Sequence, residues 1–210
     1  MGMKLVIGDH NLSSWSLRPW LALKQAGIPF EEVVVHLYSP DTKREILKHS
    51  PSGKVPCLVD GQAVIWDSLA ICEYAAEQVP SLWPADRARR AEARSISAEM
   101  HSGFMALRKG FPMNVRAELP NHPRDADIEA DIARIVTIWE GCRARFAADG
   151  PFLFGTFSIA DAMYAPVVWR FNTYGVSLPP ASAAWCEHMR NLPAMQAWRA
   201  AALAEPPREG

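Results

Sequence analysis

Gly53-Lys54-Val55-Pro56-Cys57-Leu58-Val59-Asp60, with Trp66-Asp67-Ser68-Leu69 a few residues on, decides how the first half of this 210-residue chain is read. Pro56 has no amide hydrogen, so the short apolar strand it opens cannot complete a sheet edge there. Val55 is left with free backbone groups facing outward. Asp60-Gly61 turns the chain back through Ala63-Val64-Ile65-Trp66, and Asp67-Ser68 opens a helix. A free strand edge beside a helix N-terminus suits a small peptide. The edge pairs with its backbone and the helix end takes its carboxylate.

On the N-terminal side of that hairpin, strand-like and helix-like segments alternate. Lys4-Leu5-Val6-Ile7-Gly8 reads as a buried strand, and a polar loop follows over 9–14. Residues 17–26 have helical periodicity and stop at Gly27, a natural C-terminal cap. Residues 30–35 form a second strand and 41–48 a short polar helix. After the hairpin a helix runs from Ser68 to about Gln78. The order β-α-β-α-β-β-α predicts a small mixed sheet with helices on its faces. Pro80-Ser81-Leu82-Trp83-Pro84 marks a boundary, because closely spaced prolines cannot sit in a helix interior. Beyond it strand signals vanish. Helical patterns cover 87–109, 128–148, a stretch from Ser158, and two short segments near 183–189 and 194–203. Ser158-Ile159-Ala160-Asp161 fits an N-cap with an acidic residue at the third helical position.

The bulk numbers exclude several classes. A composition of 49% hydrophobic and 21% charged residues supports a real globular core. A net charge of -1 leaves no electrostatic footprint for nucleic acid or an anionic membrane. No run approaches a membrane span, and no secretory leader pattern opens the chain. Cys57, Cys72, Cys142 and Cys186 are scattered among apolar neighbours, with no C-x-x-C and no metal-ligand spacing with the histidines. They read as small buried hydrophobes in a soluble, reduced, cytoplasmic protein without a metal.

Three patches carry candidate chemistry. Asn11-Leu12-Ser13-Ser14-Trp15-Ser16-Leu17-Arg18-Pro19 joins the first strand to the first helix. Pro19 belongs in a first helical turn, which starts the helix near Ser16 and leaves Ser13 and Ser14 at its positive end, where an anion is favoured. One hydroxyl suffices for a cap; two adjacent ones exceed that need. Lys54-Val55-Pro56 forms the second patch. Lys54 there is either a plain surface lysine or a cation beside the free edge. Asp67-Ser68 forms the third: Asp67 is a good N-cap, and it could equally pair an ammonium while Ser68 faces a carboxylate. Further on, Met100, His101, Phe104, Met105 and Arg108 share a face at helical spacing. They read as the lining of a second pocket or, more plainly, as core or dimer contact.

The chain resembles the cytosolic glutathione transferases over essentially its full length. The matching motifs are Ser-Pro-Ser-Gly-Lys-Val-Pro at 50–56, Asp67-Ser68-Leu69-Ala70-Ile71 with Glu73-Tyr74, and Ser158-Ile159-Ala160-Asp161. The run from Ser13 to Arg18 is similar to the serine motif of the zeta, or maleylacetoacetate isomerase, class, which has a cysteine where this chain has Trp15. The resemblance implies a thioredoxin-like α/β domain over 1–80, a linker over 81–87 and an all-α helical domain over 88–210. It implies glutathione as co-substrate, with Ser13 hydrogen-bonding the sulfur and Ser14 as substitute. Val55, before a cis Pro56, pairs with the cysteinyl backbone. Lys54 neighbours the glycyl carboxylate, while Asp67 and Ser68 hold the γ-glutamyl end. A small hydrophobic electrophile is expected against His101, Phe104, Met105 and Arg108, in a homodimer serving detoxification. Isomerisation or peroxide reduction fits the same pocket, and a non-catalytic binding module is the rival from another class. Thiol–disulfide exchange needs a low-pKa cysteine at the helix start, where Ser13, Ser14 and Trp15 stand.

Overall fold

The computed structural model describes residues 2–206; the ends of the expected domains at 1 and 207–210 lie outside the described residues. The sheet has strand order β2-β1-β3-β4, built from β1 (Lys4–Gly8), β2 (Glu31–Val35), β3 (Cys57–Asp60) and β4 (Ala63–Ile65). β1 runs parallel to β2, with Lys4 opposite Glu31, and antiparallel to β3, with Leu5 opposite Leu58. Strand alternation sorts β1 onto both faces. Leu5 and Ile7 join Leu58 in the main core, which includes α1 (Ser14–Gln25) and α3 (Ser68–Gln78). Val6 points the other way, packing with Val35, Cys57 and Ile46 of α2 (Thr42–Leu47).

The expected order of elements in this half is the observed one, with two differences. β3 is paired on both sides, to β1 and β4, so the free backbone is confined to Val55 ahead of it. α1 begins at Ser14, two residues before the expected start. Leu12 and Ser13 both donate their amides to the Asp9 carbonyl, at 3.2 and 2.9 Å, and this turn delivers the chain into the helix at Ser13. Pro19 therefore sits inside α1, beyond its first turn.

The remaining helices are α4 (Arg87–Ser102), α5 (Met105–Gly110), α6 (Ala126–Phe146), α7 (Ile159–Thr173), α8 (Pro180–Asn191) and α9 (Pro193–Ala204). The single helix expected over 87–109 is broken. Gly103 ends α4, and Phe104, in the left-handed region at φ 60°, turns its ring into the core. Arg108 seals the break by donating from Nε to the Gly103 carbonyl at 2.8 Å and from Nη2 to the Met100 carbonyl. The five-residue stripe is thus not one helical face. α7 forms the expected capping box and packs against both α1 and α4, which joins the helical half to the sheet half. All four cysteines are free and buried, as expected of small hydrophobes. No helix among the described residues is long and apolar enough to cross a membrane.

Candidate active site

A cavity of about 260 Å³ opens between the two halves, lined by Trp15, Ser52, Lys54, Val55, Pro56, Asp67, Ser68 and His101. The second and third patches therefore meet in one place, facing His101 from the end of α4. Another hollow, at Asp9, His36, Arg116 and Glu205, is weaker as a binding site because its charges are already paired. Asp9 meets His36 at 2.8 Å there, and Arg116 meets Glu205 at 3.6 Å.

Each lining residue is held by local chemistry. Gly53 at φ 66° turns the chain after Ser50 and Ser52, whose hydroxyls are 2.9 Å apart. Ser52 Oγ accepts the Lys54 amide at 3.2 Å. The Val55–Pro56 and Trp66–Asp67 peptides are both cis. Lys54 is exposed and forms no ion pair among the described residues.

At the N-terminus of α3, Asp67 Oδ1 accepts the amides of Leu69 and Ala70 at 3.1 and 3.4 Å. Its other oxygen faces His101 Nε2 at 2.9 Å. Ser68 lies fully buried beside it, and its hydroxyl has no partner among the described residues. A buried polar group without a hydrogen bond is costly, and His101 Nδ1, on the facing wall of the cavity, is left in the same condition.

Ser13 and Ser14 are buried at the start of α1, next to Trp15 but outside the cavity lining. Ser13 Oγ donates to Ser16 Oγ at 2.7 Å, and Ser16 Oγ also accepts the Gly8 amide at 3.1 Å. Ser14 Oγ accepts from Arg170 Nη2 at 3.2 Å, so its own proton is not committed by that contact. Trp15, 36% exposed and next in the chain to these serines, lines the cavity itself. Arg18 lies 4.2 Å and Arg108 4.7 Å from the centroid of its ring, with His101 edge-on at 5.3 Å.

Of the expected second-pocket residues only His101 lines the cavity. Met100 and Phe104 are in the core, Met105 is 68% exposed, and Arg108 reaches the cavity only through Trp15. Ser52 and Trp15 are lining residues that the sequence reading did not assign. For Trp15 the available signal is a large aromatic in the first helical turn between two serines. The thiol of Cys72, on the buried face of α3, has its pKa pushed by burial to about 12 and is inert.

A family model described as the glutathione S-transferase N-terminal domain matches residues 12–78, and one described as the glutathione S-transferase C-terminal domain matches residues 125–201. A probable maleylacetoacetate isomerase of Caenorhabditis elegans is 33% identical over 175 residues, covering 80% of this chain and 78% of that one. Glutathione S-transferase Z2 of Arabidopsis thaliana is 28% identical, covering 92% and 89%. Among solved structures, the theta class glutathione S-transferase of Xanthomonas axonopodis pv. citri, with glutathione bound, superposes with a TM-score of 0.68 at 27% identity, covering 93% of this chain and 96% of that one.

Proposed function

Since the chain belongs to the glutathione S-transferase family, with zeta-class proteins among its relatives, we propose that its cavity binds glutathione and activates the thiol through the serines at the start of α1. The observation that carries this reading is the buried, unpartnered Ser68 hydroxyl at the N-terminus of α3, inside the cavity. It suits a carboxylate, as does the positive end of the helix. In this reading Ser68 holds the γ-glutamyl carboxylate and Asp67 the γ-glutamyl ammonium. The free backbone of Val55 pairs with the cysteinyl residue, and Lys54 neighbours the glycyl carboxylate.

In this reading the sulfur sits beside Trp15, at the edge of the cavity nearest the Ser13–Ser14 pair, and Ser14 is the hydroxyl whose proton is not already committed. A free thiol with a pKa of about 8.5 is only about 3% thiolate at pH 7. Lowering the pKa to about 6.5 makes thiolate the majority form and takes about 2.7 kcal/mol. A hydroxyl donor plus a helix N-terminus is of that order. The thiolate attacks the carbon of a small electrophile held against Trp15 and His101; a C–S bond forms, the bond to the leaving group breaks, and that group, a halide for an aryl halide, departs to solvent with the electron pair. The thiol proton goes to solvent, and neither serine loses its own.

Isomerisation is the second reading, favoured by the probable maleylacetoacetate isomerase among the relatives. The thiolate adds, a bond rotates, and the same thiolate leaves. A homodimeric assembly and a cytoplasmic location belong to this proposal too, on the resemblance alone.

The test is glutathione titration with conjugation of a generic aromatic halide, and isomerisation of a cis-configured unsaturated diketone, for the parent, Ser13→Ala and Ser14→Ala. Turnover in the parent and loss of the bound thiolate absorbance in one serine variant are expected. Binding without turnover on a panel of electrophiles would favour the binding module instead.

A further inference from the structure

α1 buries Leu17, Trp20 and Leu21, and with them Arg18, which is 1% exposed. Arg18 Nε and Nη1 are buried without any hydrogen-bond partner among the described residues. Five charged or titratable groups face it, one of them the buried Tyr164 of α7, whose hydroxyl donates to the Ile96 carbonyl. Arg108 of α5 shares the Trp15 ring with it, and Arg170 of α7 reaches Ser14 in the same turn of α1. From α3 come Asp67, whose second oxygen is engaged by His101, and the Cys72 thiol, which burial keeps neutral. Burial first, then the charges of Arg108 and Arg170, pull the Arg18 pKa well below its ordinary value. Three guanidinium groups therefore converge on the first two turns of α1, and the one carboxylate that faces Arg18, Asp67, is held by His101 and the α3 amides and forms no ion pair with an arginine among the described residues. Such an arrangement lowers stability, since a buried unpaired charge is costlier than an apolar side chain of the same volume. Groups kept at the expense of stability concentrate at functional sites.

We propose that Arg18 is an electrostatic positioning residue for thiol activation: its unpaired guanidinium, reinforced by Arg108 and Arg170 around Trp15, holds the sulfur of bound glutathione as the anion. The inference rests on the glutathione reading above. The S–H bond breaks, its proton leaves to solvent and the electron pair stays on sulfur, so nothing is oxidised or reduced. The π face of Trp15 keeps the Arg18 and Arg108 guanidinium groups in place. Because Arg18 and Arg170 are themselves buried, their field is screened less than at a surface. Arg170 acts more locally. By donating to Ser14 Oγ it leaves the hydroxyl proton free to point elsewhere and makes it a stronger donor.

A structural role and this role move two measurements in opposite directions. If Arg18 only supports the fold, its replacement lowers stability and leaves the thiol untouched. If it serves the thiolate, Arg18→Met removes an uncompensated charge and leaves stability equal or higher, while the thiol pKa rises. The experiment titrates the ultraviolet absorbance of the thiolate on the glutathione-bound parent, Arg18→Met and Arg18→Lys, with thermal melts of each. Expected are a bound-thiol pKa about one unit higher in Arg18→Met, near-parental in Arg18→Lys, and a melting temperature no lower than the parent's. An unchanged pKa in Arg18→Met, or a variant that melts earlier or does not fold, overturns the proposal while the parent's thiolate stands. No bound thiolate in the parent sinks the glutathione reading itself.

Discussion

Ser68 shows what can be settled at the scale of one residue. Its hydroxyl has lost water without gaining a partner among the described residues, and in the proposed reading a bound carboxylate supplies the missing bond. Replacing Ser68 with Ala removes a hydrogen bond to a charged group, a loss of about 1.5–3 kcal/mol, and weakens glutathione binding at least about tenfold. The same replacement deletes an unsatisfied buried group, so the denaturation midpoint does not fall. Calorimetric titration alongside a urea melt reads both, and unchanged affinity would mean that Ser68 faces something other than the ligand. Ser68 and Asp67 were legible in the sequence because cap chemistry is local. The relation of Ser13 to Ser14 was not. Ser13 meets Ser16 three residues away, yet Ser14 is set by Arg170, 156 residues distant. The stacking of Arg18 on Trp15, three residues apart on α1, is a local contact, but the arrival of Arg108 from α5 on the same ring depends on tertiary packing.

At the scale of elements, α7 and the α4–α5 break are opposites. The start of α7 was readable from Ser158 and Asp161, and the structure adds reasons for its strength. Asp161 Oδ2 accepts from Ser158 N and Oγ at 2.9 and 3.1 Å, and Oδ1 from Leu153 N and Trp185 Nε1 at 2.9 and 3.0 Å. Asp161→Ala strands several buried donors and costs about 3 kcal/mol or more, beyond the roughly 1 kcal/mol of an exposed cap. Equilibrium urea unfolding measures it, and a loss under about 1 kcal/mol would refute the buried-anchor role. Burial outweighs those four bonds and raises the Asp161 carboxyl from 3.8 to about 6. A raised folded pKa means the folded state binds the proton more tightly. The associated stability is fully present below about 3.8 and is lost as pH rises through about 6. Against Asp161→Asn, which does not titrate, the parent therefore gains stability on going from neutral pH into this window; the reverse slope would contradict the assignment. The break after α4 had no comparable signal. Gly103 alone is tolerable inside a helix. What ends α4 is the burial of Phe104, reached in a left-handed conformation, and the return of Arg108 onto the freed carbonyls. Both are tertiary effects on a sequence whose periodicity continues unbroken.

For the whole molecule, the active site depends on contacts that join chain ends and halves. His101 of α4 meets Asp67 of α3, and α1 lies against α7. The loop that delivers Ser13 is tied from the far end of the chain. Glu205, just after α9, accepts the backbone amides of His10 and, at 3.2 Å, of Asn11, with Arg116 alongside at 3.6 Å. Nothing at position 205 marks such a role, since an acidic residue after a terminal helix is ordinary surface composition. Its partners lie 195 and 194 residues away. Removing the carboxylate by Glu205→Ala leaves two partly buried amides unpaired and costs about 1–3 kcal/mol of global stability. The local effect is the more telling one. The amides of His10 and Asn11 open more readily than the sheet beside them, so their hydrogen exchange accelerates while that of Leu5 to Ile7 follows only the global change. Exchange measured residue by residue separates the two. Equal acceleration along the whole stretch from β1 into α1 would mean that Glu205 merely contributes to overall stability and does not fix the loop that leads into Ser13.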